Sequence, residues 1–133
     1  DDARQALKLS KADGIMIGRA CYGKPWLISQ ISHELQGESY ELPTIEQQHK
    51  IVIDHFQEMI NYYGDKVAIP MARKHIGWYS GGLKNSSGFR AQVNITQGKE
   101  DVESLINKFY EMQLEMAQQE SSFIKSENHI YQE

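Results

Sequence analysis

Apolar positions recur at helical spacing through most of this chain. From Asp2 to Leu9, Ala3, Ala6, Leu7 and Leu9 suggest a short helix. The run Ile15-Met16-Ile17 is different: short, apolar and bounded by Gly14 and Gly18. That pattern predicts a buried strand of the parallel-sheet kind. No second strand of that quality follows, so the segment is expected to be orphaned from its sheet. A helix is predicted from Pro25 through Ile31, with Pro25 at its first position, where a missing N–H costs nothing. Gly37 stops it.

Beyond the loop from Glu38 to Pro43, Thr44-Ile45-Glu46-Gln47 has the form of a capping box. The helix it opens carries Val52, Phe56, Met59, Ile60 and Tyr63 on one face and ends at Gly64. A third helix is expected from about Val67 to Ser80, with Pro70 in its first turn. Ile69, Ala72, Ile76 and Tyr79 point inward in that reading. Gly81-Gly82 breaks the chain, and Ser86-Ser87 can cap a short helix from about Gly88 to Ile95. The last helix, about Glu100 to Met116, opens after Thr96 and aligns Val102, Leu105, Ile106, Phe109, Met112 and Met116. From Gln118 periodicity fades into a polar tail, expected to be disordered.

The expected fold is all-α: a small antiparallel helical bundle, preceded by the last strand-helix remnant of a (β/α)8 barrel. The division expected is residues 1–36 for the remnant, 37–117 for the helical domain and 118–133 for the tail. With 133 residues, 40% hydrophobic, the chain can bury a core. A whole (β/α)8 barrel takes roughly 250 residues and does not fit. The start lacks Met and a signal-peptide core, so a cut in a longer protein is expected. No apolar run is long enough for a transmembrane helix.

Charge changes the picture. The net charge is −4, yet Lys66, Arg73, Lys74, Lys84, Arg90 and Lys99 fall in a window without Asp or Glu. A basic island in an acidic chain suits a polyanion, and here it interleaves with Trp78 and Tyr79. Phosphates favour Arg and Lys, and exposed bases favour aromatic stacking. Trp78, Tyr79 and His75 could equally be packing residues of the bundle. Gly18-Arg19, at the end of the predicted strand, could meet a phosphate, or could simply be a turn. The single cysteine, Cys21, permits no internal disulfide, and no acid or histidine spacing makes it a nucleophile. The five histidines include no HExxH, so a zinc-protease site is excluded and no metal is expected.

Ala12-Asp13-Gly14-Ile15-Met16-Ile17-Gly18-Arg19-Ala20, then Gly23-Lys24-Pro25-Trp26, resembles the last barrel strand of bacterial tRNA-dihydrouridine synthases. Tyr62-Tyr63-Gly64, Ala72-Arg73-Lys74-His75-Ile76-Gly77-Trp78-Tyr79, Phe89-Arg90 and Asn94 look like their C-terminal helical domain. The resemblance runs from about Asp2 to Met116. It implies a parent oxidoreductase that reduces uridine in tRNA to 5,6-dihydrouridine with FMN and NADPH, in the cytoplasm. Gly18 and Arg19 would then belong to the turn that binds the flavin phosphate. Arg73, Lys74, His75, Trp78, Lys84 and Arg90 would bind tRNA. The family's catalytic cysteine lies in an earlier barrel loop, so no catalytic residue is expected in this chain and Cys21 is not one. The fragment alone should be inactive, and its orphaned strand could pair with a second copy. Two other readings stay open: a stand-alone helical RNA-binding module, and a helical domain that meets a protein partner.

Overall fold

The structure, a computed structural model, describes the backbone of residues 1–130 and the side chains of residues 1–124. Among the described residues all regular structure is helical: six α-helices and one 3-10 turn, with no strand. The chain divides into two compact units between Pro43 and Thr44. The loop beyond Gly37 falls within the first unit, where the rings of Tyr40 and His33 stand 5.3 Å apart between centroids.

In the first unit α1 (Asp2–Ser10) packs against α2 (Leu27–Gln36), and Arg4 Nη2 donates to the Glu34 carbonyl at 2.6 Å. Gly37, at φ 76°, ends α2, with its N–H on the Glu34 carbonyl and that of Glu38 on the His33 carbonyl. This pair of bonds satisfies two carbonyls that the helix leaves open. Pro25 lies two residues before α2 rather than at its first position, in a turn closed by Leu27 N–H on Lys24 O. Residues 15–17 form no strand. A strand needs a neighbour for its N–H and C=O groups, and Met16 is 93% exposed. None of residues 1–43 is fully buried. Their apolar side chains, Ala3, Ala6, Ile15, Ile17, Leu27 and Ile31 among them, instead line an open hollow of about 600 Å³.

The second unit holds the core. α3 (Ile45–Tyr63) packs against α4 (Asp65–Tyr79) and α6 (Lys99–Ile130), and α5 (Ser86–Ile95) packs against α4 and α6. The capping box forms as expected: Gln47 N–H donates to Thr44 Oγ1 at 3.2 Å, and Thr44 N–H donates to Gln47 Oε1 at 2.9 Å. Val52, Phe56 and Met59 are buried from α3, and Ala68, Ile69, Ala72, Ile76 and Tyr79 from α4. The alanines let the helices approach; Phe89 and Phe109 stack at 4.1 Å to lock α5 on α6.

Several boundaries differ from expectation. Gly64 alone separates α3 from α4, so α4 starts at Asp65 and Pro70 falls in its interior, not its first turn. Gly64 adopts φ 74°, ψ 158°, a backbone region open essentially to glycine. Tyr63, expected inward, is 46% exposed, set against Tyr62 at the end of its helix. Leu105, Met112 and Met116 lie at the edge of the α6 stripe, Met112 exposed, while Tyr110 and Gln113 are buried in their place. α5 begins at Ser86 behind a left-handed Asn85, so Ser87 lies inside the helix and caps nothing. Thr96 ends α5, its hydroxyl donating to the Gln92 carbonyl at 2.8 Å. The polar stretch from Gln118, expected to be disordered, continues α6 through Ile130; residues 131–133 lie outside the described residues. Adding a residue to an existing helix needs no new nucleus, so helix can outrun its apolar stripe.

Candidate functional site

α4 presents four of the expected contact residues within two turns. Lys74 and Trp78 are four apart and share a face; both are exposed, Trp78 at 42%. Trp78 is therefore a surface residue, not core. Its ring lies edge-on to His75, 5.0 Å between centroids. Arg73 is more constrained. Its Nη2 donates to the Thr96 carbonyl at 3.0 Å, while its buried Nε has no hydrogen-bond partner.

α5 brings Arg90 to the same region. A Cβ at Gly77 would stand 3.5 Å from Arg90 Cδ, so the arginine stem lies across the glycine. Gly77 is one turn beyond Arg73, and the three cations Arg73, Lys74 and Arg90 are gathered along one stretch of α4. Lys84 is engaged elsewhere: its Nζ is ion-paired with Glu120 of α6, and its carbonyl accepts from Gln113 Nε2 at 2.7 Å. Lys99 pairs with Asp65 at 3.4 Å. Two of the six cations of the island are thus neutralised within the fold. Lys66 and Arg73 line a hollow of about 410 Å³ together with Asp65, Pro70 and Gln97.

Behind this surface lies a cluster that sequence spacing did not reveal. His55 of α3 hydrogen-bonds through Nδ1 with the Tyr79 hydroxyl at 2.9 Å and stands edge-on to His75 at 5.0 Å. Burial lowers the pKa of His55, and burial followed by repulsion from His55 lowers that of His75. Burial pushes Tyr79 up to about 12 and Tyr110 further still. His55 is twenty positions from His75 on another helix, so only the pairing of α3 with α4 brings them together. Asp54, beside His55, is held by Lys50 at 2.6 Å.

In the first unit Gly18 leads into the 3-10 turn Arg19–Cys21. Nothing lies within 4 Å of where a Gly18 Cβ would stand, and Arg19 is exposed. Cys21 is a free thiol whose Sγ donates to the Gly18 carbonyl at 3.1 Å. No group of three or more His, Cys, Asp or Glu among the described residues could hold a metal. No helix there is long and apolar enough to cross a membrane.

The family described as "Dihydrouridine synthase (Dus)" matches residues 1–118. A "Probable tRNA-dihydrouridine synthase" of Rickettsia bellii is 51% identical over 109 residues, 81% of this chain and 33% of the relative. The protein of that name from Rickettsia conorii is 52% identical over the same shares. "tRNA-dihydrouridine synthase B" of Pseudomonas putida is 35% identical over 98 residues, 73% of this chain and 29% of the relative. The chain spans about a third of the length of these relatives. Matched over nearly all of its bundle and over the Gly18-Arg19 turn, the chain belongs to the dihydrouridine synthase family.

Proposed function

We propose that this chain is the tRNA-handling part of an enzyme that reduces uridine in tRNA to 5,6-dihydrouridine in the cytoplasm. The observation that carries the reading is the gathering of Arg73, Lys74, Arg90 and half-exposed Trp78 on one surface of a bundle that belongs to this family. Cations there meet phosphates, and Trp78 offers a face on which an unstacked base can rest. His75 belongs to the same surface, whereas Lys84 contributes less because Glu120 already satisfies it.

FMN is the cofactor proposed for the whole enzyme. The turn at Gly18 fits a phosphate, since its backbone is open to approach and the exposed Arg19 offers a fork of donors. Bound flavin, reduced by NADPH, would supply the hydride that uracil receives. This chain's part is to hold the phosphate corner and the RNA. No residue of it is proposed to be catalytic. The half-exposed apolar groups of residues 1–43 are those expected of a barrel remnant, the segment at Ile15-Met16-Ile17 being its last strand.

The test uses the 133-residue chain with unmodified tRNA, FMN and NADPH. Salt-sensitive tRNA binding without dihydrouridine formation is expected. Dihydrouridine formed by this chain alone would overturn the division of labour, and absence of tRNA binding at low salt would overturn the RNA reading.

A further inference from the structure

The histidine pair lies directly behind the charged surface of α4. His55 and His75 stand 5.0 Å apart between ring centroids, and His75 reaches the surface against Trp78, beside exposed Lys74. Two imidazoles that close in a partly dehydrated seam resist charging together. Other charged and titratable groups stand nearby. Arg73 and Lys74 precede His75 on α4, and Arg90 reaches over Gly77 from α5. On α3, Asp54 is bound to Lys50, and Glu58, one turn beyond His55, is exposed. Tyr79, and Tyr110 of α6, which feels the charge of Tyr79, are phenols that stay neutral in this range.

We propose that His75 is a phosphate contact of the RNA surface that takes up a proton as RNA binds, making tRNA binding proton-linked. The inference rests on the tRNA reading above. In the free chain burial lowers the proton affinity of both imidazoles, and repulsion from His55 lowers that of His75 further. A phosphodiester beside His75 supplies the negative charge that reverses this balance. A ligand that raises a group's proton affinity binds more tightly when that proton is available. Affinity should therefore rise as pH falls toward and below 6.5, the ordinary value for histidine. One proton gives at most about a tenfold gain per pH unit.

The experiment titrates fluorescently labelled tRNA with the 133-residue chain from about pH 5.5 to 8.5, a range spanning the ordinary histidine value, at fixed ionic strength and with circular dichroism at each pH. Calorimetry in two buffers of different ionisation heat reads the proton directly. Tighter binding at low pH and a buffer-dependent heat equal to uptake of up to one proton are expected. His75→Gln should flatten the profile at the weak, high-pH affinity. His75→Lys should flatten it at the tight, low-pH affinity, because lysine stays charged. Glu58→Gln should leave the slope in place, and a slope abolished there would overturn the assignment to His75. Binding with the same affinity across the range, or a slope that survives His75→Gln, would likewise overturn the proposal. Failure to bind at any pH and any salt would instead overturn the tRNA reading beneath it.

Discussion

The Tyr79 hydroxyl and His55 Nδ1 meet at 2.9 Å, the phenol reaching from buried α4 into a half-buried imidazole of α3. This bond joins the core of the bundle to the histidine pair beneath its charged surface. Tyr110, also buried, has a hydroxyl with no hydrogen-bond partner, though its ring stacks on His49 at 5.3 Å. The two tyrosines should therefore respond differently to loss of the oxygen. Tyr79→Phe removes a made bond and should cost about 1 kcal/mol, more where His55 is left unsatisfied. Tyr110→Phe removes a group already unpaired and should leave stability unchanged or raised. Urea melts of both variants check the contrast, and equal losses would contradict it.

The aromatic stack between α5 and α6 gives a second prediction. Phe109 is 3% exposed and lies face to face with Phe89. Phe109→Ala should cost about 3–5 kcal/mol, the range for emptying a buried aromatic site. Phe56→Ala, at the same burial on α3, should cost a similar amount. Tyr62, 81% exposed, is the control: Tyr62→Ala should change stability by less than about 0.5 kcal/mol. Losses below about 1 kcal/mol for both phenylalanines would mean the core face is misassigned.

The parts legible in the sequence are those decided within a few residues. Thr44 and Gln47 satisfy each other across one turn, and Gly37 supplies a left-handed end. The inward set Ile69, Ala72, Ile76 and Tyr79 follows from helical period alone, and all four are buried. Periodicity gives a direction, however, and not how far a neighbour reaches. Tyr63 is in phase with Phe56 yet remains half exposed, and Met112 is out while Gln113 is in, donating to Lys84 O. The one-residue junction at Gly64 is hidden as well. A glycine between two helical patterns reads as a loop of several residues, and that offset moves Pro70 from the interior of α4 to its first turn. At the candidate site, the cations of α4 can be read from composition. The pairing of Lys84 with Glu120 and of His55 with His75 cannot, since both join separate helices.

The lowered histidines fix the sign of acid sensitivity. An unfolded imidazole binds its proton near 6.5, and the folded His55 and His75 bind theirs only at lower pH. Below 6.5 the unfolded chain therefore holds more protons, and stability falls as pH drops toward the folded values. The tyrosines act at the other end. An unfolded phenol ionises near 10 and folded Tyr79 near about 12, so stability should also fall as pH rises through that interval. Thermal melts from about pH 5 to 11 should trace a maximum between these limbs. His55→Gln should flatten the acid limb, and Tyr79→Phe should soften the alkaline one. An acid limb unchanged by both His55→Gln and His75→Gln would assign it to the carboxylates.

The RNA surface makes the last prediction, and the fold sharpens it beyond the basic window as a whole. If phosphates meet free cations, the residues that matter are those the protein has not already neutralised. Lys74 and Arg90 are exposed, whereas Lys84 is committed to Glu120 and Lys99 to Asp65. Lys74→Gln and Arg90→Gln should each weaken tRNA binding and flatten its log–log dependence on salt, by roughly 0.7 to 0.9 for each phosphate no longer neutralised. Lys84→Gln should change that slope little, although the basic window gives up the same charge. Arg73→Gln is expected to weaken binding and stability together, because Arg73 also holds the Thr96 carbonyl. Trp78→Ala separates stacking from charge: affinity should fall with the salt slope intact and with little change in melting, since the ring is half exposed. Titrations of labelled tRNA at several salt concentrations, beside thermal melts, read all five variants. Equal effects of Lys74 and Lys84 would mean that total charge, not this surface, drives binding. Binding indifferent to salt and to every one of these changes would turn the surface over to a protein partner.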